Sequence, residues 1–296
     1  MSTDYFHCRE RFLALPGVRE VRKDPYRFVL SSGPAQDCLA ERFTAIDDMI
    51  RDGSRLKTSV ESSAAVFTLP GGRKVFVKRN SNRGFGFTVK YFFIPARVFR
   101  AALAANHVAE AGIRTPRVLA AGEKRHAGIL LDGYLITEAV TDAYDLMTYT
   151  IERADAPAGM PSLIRDAARI AAALHSHGIY HGDLKLVNLY RAADDEPCGV
   201  WDLDSAQLFP AEVPRKLVVR ELGRIVSSIL IFSEQNPAFP DAFFNLNRLT
   251  RDLLDAYSAE TTAAAPSPSL PEVMNAARTH WLDKRRLRFD YGGQTA

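Results

Sequence analysis

Acidic residues are missing from a long stretch of this 296-residue chain. Between Ser62 and Ala109 there is no Asp or Glu, while Arg73, Lys74, Lys78, Arg79, Arg83, Lys90, Arg97 and Arg100 supply eight cations. Such a local field suits phosphate groups, whether of a nucleotide, a phospholipid surface or an anionic glycolipid. The whole chain nets only +3, so bulk charge gives no argument for nucleic acid, and none is expected as a partner. Cysteine is scarce. Cys8, Cys38 and Cys198 form no CxxC pair, which argues against a disulfide framework and fits reduced thiols in a cytosol. Long apolar runs are lacking too: Ile225–Phe232, the longest candidate, is far too short for a membrane span and sits among charges. Met1-Ser2-Thr3-Asp4 is not a basic region leading into an apolar core, so no secretory signal is expected. There is no internal repeat. What remains, 47% hydrophobic and 25% charged residues, is the composition of a soluble globular protein, with length for about two domains.

The chemistry is concentrated in residues 181–204. His181-Gly182-Asp183-Leu184-Lys185-Leu186-Val187-Asn188 is followed by Val200-Trp201-Asp202-Leu203-Asp204. This is an acid, a lysine and an amide at short fixed offsets, then a second apolar strand ending in carboxylates. Phosphoryl transfer from ATP needs such a set. One carboxylate orients the attacking hydroxyl and accepts its proton, while an amide and another carboxylate hold Mg²⁺ on the nucleotide phosphates. Asp183, Asn188 and Asp202 fill those roles in that order, and Lys185 neutralises charge on the transferring group. The Asp-to-Asn offset is that of the protein-kinase catalytic loop. Asp202 comes fourteen residues after Asn188, room for a short β-hairpin. Asp204 either assists the metal or caps a turn. His175, His177, His181 and Asp183 could be read as a metal cluster, but they lack the paired helical spacing of a zinc motif. The plainer reading has His175 packing at a helix end and His181 shaping the loop.

Upstream, Ser54–Lys57, Ala65–Leu69 and Arg73–Lys78 read as three strands, with Thr58–Ala64 as a loop and Pro70-Gly71-Gly72 as a tight turn. In a kinase the first hairpin's loop covers the phosphates and the third strand carries the lysine that pairs with them. Lys78 takes that place, and Ser62 and Ser63 of the glycine-free loop are expected at the phosphates. The basic, aromatic stretch Arg79–Phe93 precedes a helix over Ala96–Ala111. Its aromatics either touch a membrane surface or lipid-linked sugar, or are buried between sheet and helix. Tyr134–Val140 is a buried strand running into a loop, where backbone near Glu138 and Val140 reads the adenine edge. The first fifty residues suggest no chemistry beyond a short strand at Tyr26–Leu30.

Asp145–Thr150 begins a helix, Pro157–Pro161 reads as a loop, and Ser162 caps a helix with Leu163, Ile164, Ala167, Ala171 and Leu174 on one face. It stops at Gly178. Beyond Asp204 the chain reads as helical, with Leu217, Val218, Leu222, Ile225, Val226 and Ile229 buried, a linker over Ala259–Leu270 and a last helix around Glu272–Arg285.

Several stretches together resemble the bacterial lipopolysaccharide core kinases that act on Kdo and heptose. These are Lys78-Arg79-Asn80, the basic-aromatic insert, Ala111-Gly112-Ile113-Arg114-Thr115-Pro116-Arg117, His181–Asn188, Trp201-Asp202-Leu203-Asp204 and Arg220-Glu221-Leu222-Gly223-Arg224. The likeness runs from about Ser54 to about Phe232. It implies an α+β, two-lobed protein-kinase-like fold, with a small antiparallel-sheet N-lobe over 54–140 and a mainly helical C-lobe over 141–296. Residues 1–53 are an N-terminal extension packing on the small lobe. It also implies ATP with Mg²⁺, a sugar hydroxyl of lipid A-linked core glycolipid as acceptor, and a cytoplasmic enzyme meeting its substrate at the inner-membrane surface. The chain departs from protein kinases at the small-lobe helix, where no glutamate faces the strand lysine. Either Glu110 reaches Lys78, or Lys78 is held by phosphates alone. Two other readings stay open: a small-molecule alcohol kinase of the aminoglycoside or choline type, and a nucleotide-binding pseudokinase scaffold without turnover. Protein-kinase activity ranks lower, because no Ala-Pro-Glu element follows Asp202.

Overall fold

The computed structural model describes residues 7–58, 62–81, 91–92, 94–152, 156–191, 197–235, 245–261 and 267–292. The chain divides into two compact units. One comprises Met1–Glu110, Thr115–Thr141 and Leu203–Gln207, the other Ala111–Arg114, Asp142–Asp202 and Leu208–Ala296.

The first unit is built on a seven-stranded sheet in which every pairing is antiparallel. Its strands are β1 (Arg19–Lys23), β2 (Tyr26–Leu30), β3 (Ser54–Thr58), β4 (Ser62–Thr68), β5 (Lys74–Ser81), β6 (Val118–His126) and β7 (Ile129–Glu138), in the order β1-β2-β6-β7-β5-β4-β3. The segment before residue 54 thus contributes β1 and β2 to the sheet, and the helices Gln36–Arg42 and Ile46–Asp52 to one face. Period-two alternation sorts β5: Val75 and Val77 are fully buried with Tyr134 and Ile136 of β7, against Leu39, Phe43, Ile46 and Ile50. Each such side chain removed from water contributes about 1.5–3 kcal/mol. The opposite face carries Lys78 and Asn80, paired across to Leu135 and Gly133. A Cβ at Gly133 would lie 3.2 Å from Val98 Cγ1, so the absence of a side chain lets the helix Arg97–Glu110 rest directly on this face.

The strand boundaries differ from expectation on both sides of the turn. β4 begins at Ser62, not Ala65, and β5 continues past Lys78 to Ser81. The physical reason is the partner strands. Ser62 and Ser63 pair with Asn80 and Arg79, and β7 reaches far enough to pair Asn80 and Ser81 with Gly133 and Asp132. Lys78 therefore sits inside a strand and not at its end.

Asp47 ties this unit together. It accepts from Tyr26 Oη, Tyr134 Oη, Lys124 Nζ and Arg79 Nη1 at 2.9–3.2 Å. Burial alone would raise its carboxyl, but hydrogen bonds from Lys124, Tyr134 and Tyr26 outweigh it and hold the group below its ordinary value of 3.8. A carboxyl depressed in the folded state stabilises fully above its unfolded value and loses that contribution as pH falls toward the folded one. Asp47→Asn is expected to cost on the order of 1–3 kcal/mol at neutral pH and to flatten the loss of stability below about pH 4. Denaturant melts across pH 2.5–7 check this; an unchanged acid limb would contradict it.

The second unit is mainly helical, built from Leu146–Glu152, Ala156–Ser176, Arg215–Gln235, Leu246–Glu260 and Leu270–Gly292. Asp145 caps the first through Met147 N and Thr148 N at 3.0 and 2.9 Å. Leu163, Ile164, Ala167, Ala171 and Leu174 are buried, as their spacing requires. That helix begins at Ala156, however, and runs through Pro161 instead of starting at Ser162. Pro157 occupies the first turn, where no backbone donor is needed, and Pro161 removes a single bond. Cys8, Cys38 and Cys198 are free thiols. Among the described residues no helix is long and apolar enough to cross a membrane.

Candidate active site

In the helical unit, the strand Ile179–Tyr180 delivers the chain into the loop His181–Lys185. A single 3-10 turn, Leu186–Asn188, leads to Leu189–Arg191, which pairs antiparallel with Gly199–Val200. The hairpin expected from the sequence thus returns Trp201 to Asn188, and Trp201 N donates to Asn188 O at 3.1 Å. The indole stacks on Tyr190 with centroids 4.7 Å apart, and its Nε1 donates to Val187 O at 2.8 Å. Asp202, next in line, is exposed and has φ +61°, a left-handed conformation that a non-glycine residue adopts at some cost.

His181 is fully buried and joins the two strings. Its Nε2 donates to Trp201 O at 3.0 Å and its Nδ1 accepts from Asp183 N at 3.3 Å, so both ring nitrogens are used. Gly182 has φ +83°, a turn that glycine makes without strain. The turn points the amides of His181 and Gly182 at Glu221, which accepts them at 3.1 and 2.7 Å. Glu221 is 1% exposed and accepts a third bond from His175 Nε2 at 3.0 Å, while His175 Nδ1 accepts from Tyr257 Oη at 3.0 Å. The Tyr257 hydroxyl is pushed up to about 12 by burial, then by the charges of Glu221 and Glu212, so it remains a donor. His175 and His181 thus hold the loop in place. Among the described residues no group of three or more His, Cys, Asp or Glu is placed to hold a metal.

Asp183 is the centre of the loop. Lys185 Nζ lies 2.9 Å from its Oδ2 and Arg224 Nη1 3.0 Å from its Oδ1, and Arg224 also donates to Gly182 O. Burial pushes the carboxyl up, but the Lys185 hydrogen bond and the charges of Lys185, Arg224 and His181 outweigh it, leaving Asp183 below the usual range and ionised. Asn188 Nδ2 donates to Asp183 O at 2.8 Å and to Oδ2 at 3.2 Å. With the nitrogen committed, the amide presents its oxygen. An amide oxygen and the Asp202 carboxylate are the hard oxygen donors Mg²⁺ takes alongside phosphate and water, so this donor set fits the ion.

In the sheet unit, Lys78 Nζ lies 3.0 Å from Asp204 Oδ2. Glu110 is exposed at the far end of its helix, and the carboxylate beside Lys78 is that of Asp204. Glu138 ends β7; its side chain pairs with Arg73, its N–H donates to Arg117 O, and the N–H of Ala139 donates to Lys74 O. Val140 follows at once in irregular backbone. Ser62 and Ser63, expected in a loop, are strand residues, and Ser63 is buried. Their backbone belongs to the ladder with β5, so a covering role through loop amides does not fall to them; the loop residues 59–61 lie outside the described residues. The acid-free stretch also proves less uncompensated than it reads. Arg73, Lys78 and Arg79 are met by Glu138, Asp204 and Asp47 from elsewhere in the chain. The aromatic insert lies mostly outside the described residues, with Tyr91 buried and Phe92 exposed. Glu221, Arg224 and the Lys78–Asp204 pair are contacts at the candidate site that sequence reasoning did not assign.

An antiparallel sheet carrying a strand lysine, followed by a mostly helical unit with an Asp–Asn loop and a second Asp beyond a hairpin, is a protein-kinase-like protein. A model of the lipopolysaccharide kinase (Kdo/WaaP) family matches residues 53–256, and the chain belongs to that family. Membership in a kinase family implies phosphoryl transfer from a nucleotide, and this family implies lipopolysaccharide core as acceptor. Among solved structures, WaaP in complex with acyl carrier protein is similar with a TM-score of 0.56 and 20% identity, covering 88% of this chain and 97% of that one. Amicoumacin kinase hAmiN, in complex with AMP-PNP, Ca²⁺ and Ami, reaches a TM-score of 0.50 at 9% identity, covering 85% and 86%. At these identities both show the fold. No curated protein matches the sequence.

Proposed function

We propose that the protein transfers the γ-phosphate of ATP to a sugar hydroxyl of lipid A-linked inner core, a Kdo or heptose residue. The observation that carries this is Asp183, an ionised carboxylate fixed by Lys185, Arg224 and Asn188. Asp183 accepts the proton of the attacking hydroxyl. Asn188 Oδ1 and Asp202 hold the metal, Lys78 engages the phosphates, and backbone at Glu138 and Val140 reads the adenine. Ser62, on the strand position paired with Asn80, offers its hydroxyl toward the nucleotide, while Ser63, buried beside it, supports that strand. Bound Mg²⁺ supplies charge neutralisation on the phosphates. Lys185 shares its charge between Asp183 and the group in transfer. The enzyme works on the cytoplasmic side, peripheral to the inner membrane, because its acceptor is membrane-anchored.

The rival soluble-alcohol kinase calls for acidic residues around a cationic substrate, whereas the stretch Ser62–Ala109 contains none. A panel of acceptors discriminates the readings. Lipid A–core glycolipid is expected to be phosphorylated at least tenfold faster than an aminoglycoside or choline at equal concentration, a difference of about 1.4 kcal/mol in barrier. Faster transfer to the amino alcohols would contradict the proposal. Bound ATP with no acceptor in either class would favour the scaffold.

A further inference from the structure

The helix Arg97–Glu110 lacks the carboxylate with which a kinase helix holds the strand lysine, yet Lys78 has a carboxylate. Asp204 lies on the 3-10 turn Leu203–Ser205. Its Oδ2 is 3.0 Å from Lys78 Nζ, 4.0 Å from Arg97 Nε, and accepts from Asn80 Nδ2 at 3.3 Å. Its backbone carbonyl accepts from Arg100 Nη2. Lys78 and Asn80 are on β5, Arg97 and Arg100 on the helix. One residue therefore joins strand and helix, with the charges inverted: the helix contributes cations, and the shared carboxylate comes from the segment following Asp202. The side chain is only 14% exposed, so solvent screening of the pair is limited. Neither oxygen caps the turn, since Oδ1 is buried without a hydrogen bond. Glu110, at the last position of the helix and exposed, takes no part.

We infer that Asp204 is the positioning residue for Lys78 and replaces the missing helix glutamate, with Arg97 and Arg100 anchoring it. This rests on the nucleotide-binding role proposed for Lys78. Asp204 follows Asp202 by two residues in the sequence, so the carboxylate proposed for the metal and the one that positions the lysine are near neighbours along the chain.

The test is a double-mutant cycle read by titration with a non-hydrolysable ATP analogue and Mg²⁺, which needs no acceptor. Asp204→Asn is expected to weaken analogue binding about tenfold in the wild-type background and less than twofold in a Lys78→Met background, because Asp204 acts through Lys78. Asp204→Glu keeps the charge and is expected to recover part of the affinity, while Glu110→Gln leaves it unchanged. Equal losses from Asp204→Asn in both backgrounds, or a tenfold loss from Glu110→Gln, would overturn the inference alone. A wild-type protein that does not bind the analogue would overturn the kinase reading and this inference with it.

Discussion

Asp183→Asn is expected to lower transfer by about 10²–10⁴-fold, the usual contribution of a positioned general base, while nucleotide affinity changes little. The substitution keeps the shape and a hydrogen-bonding oxygen for Asn188 Nδ2, but removes the negative charge that Lys185 and Arg224 face. Nucleotide contacts assigned to Lys78, Glu138 and Val140 belong to the other unit, so they stay in place when Asp183 is changed. The two cations also set a pH dependence. They hold the Asp183 carboxyl below its ordinary value, so the base form persists into acid, and kcat is expected to stay level down to about pH 4 as far as this group is concerned. Lys185→Ala removes the largest lowering contact and moves that acid limb upward. Kinetics and analogue titration on the same preparations check both statements; equal loss of turnover and binding in Asp183→Asn would make Asp183 structural.

Glu221→Ala is expected to be the most damaging change to the loop itself. Three donors, the amides of His181 and Gly182 and the imidazole of His175, lose their acceptor in a buried setting. Each unmet buried donor costs about 1–3 kcal/mol, so the total loss is on the order of 3–5 kcal/mol after partial relaxation. Glu221→Gln is instructive because it is nearly isosteric. One of its two terminal groups becomes a donor, which must face a donor already there, so it too is expected to destabilise and to lower turnover. Thermal melts and turnover measured together check this. A fully stable, active Glu221→Gln would contradict the assignment of Glu221 as the loop's anchor.

Glu221 also marks the limit of what the sequence discloses. Asp183, Asn188 and Asp202 were legible because their geometry is local: a five-residue loop and a hairpin fix them, and short offsets encode both. The buried faces of β5 and of the helix around Leu163 were legible for the same reason, since periodicity of two or 3.6 is written along the chain. Glu221 lies 39 and 40 residues from the amides it accepts, and Asp204 lies 126 residues from Lys78. No spacing rule connects such pairs; only the packed fold does. The stretch Arg220–Arg224 could be noticed as a resemblance, yet its two charged contacts with the loop could not be assigned. Boundaries failed where a partner decided them. Ser62 became strand because Asn80 was there to pair with it, and the helix at Ala156 ran through Pro161 because one missing hydrogen bond is affordable inside a packed helix.

The family match makes the chain a member of a kinase family, and the acceptor proposed for it is the central claim. The most direct test follows ADP and phosphorylated glycolipid together in a reaction of purified protein, ATP, Mg²⁺ and lipid A–core glycolipid lacking core phosphate. The account predicts equimolar ADP and phosphoglycolipid, both abolished by chelating the metal. ADP without phosphoglycolipid, or bound ATP with neither product, would contradict it.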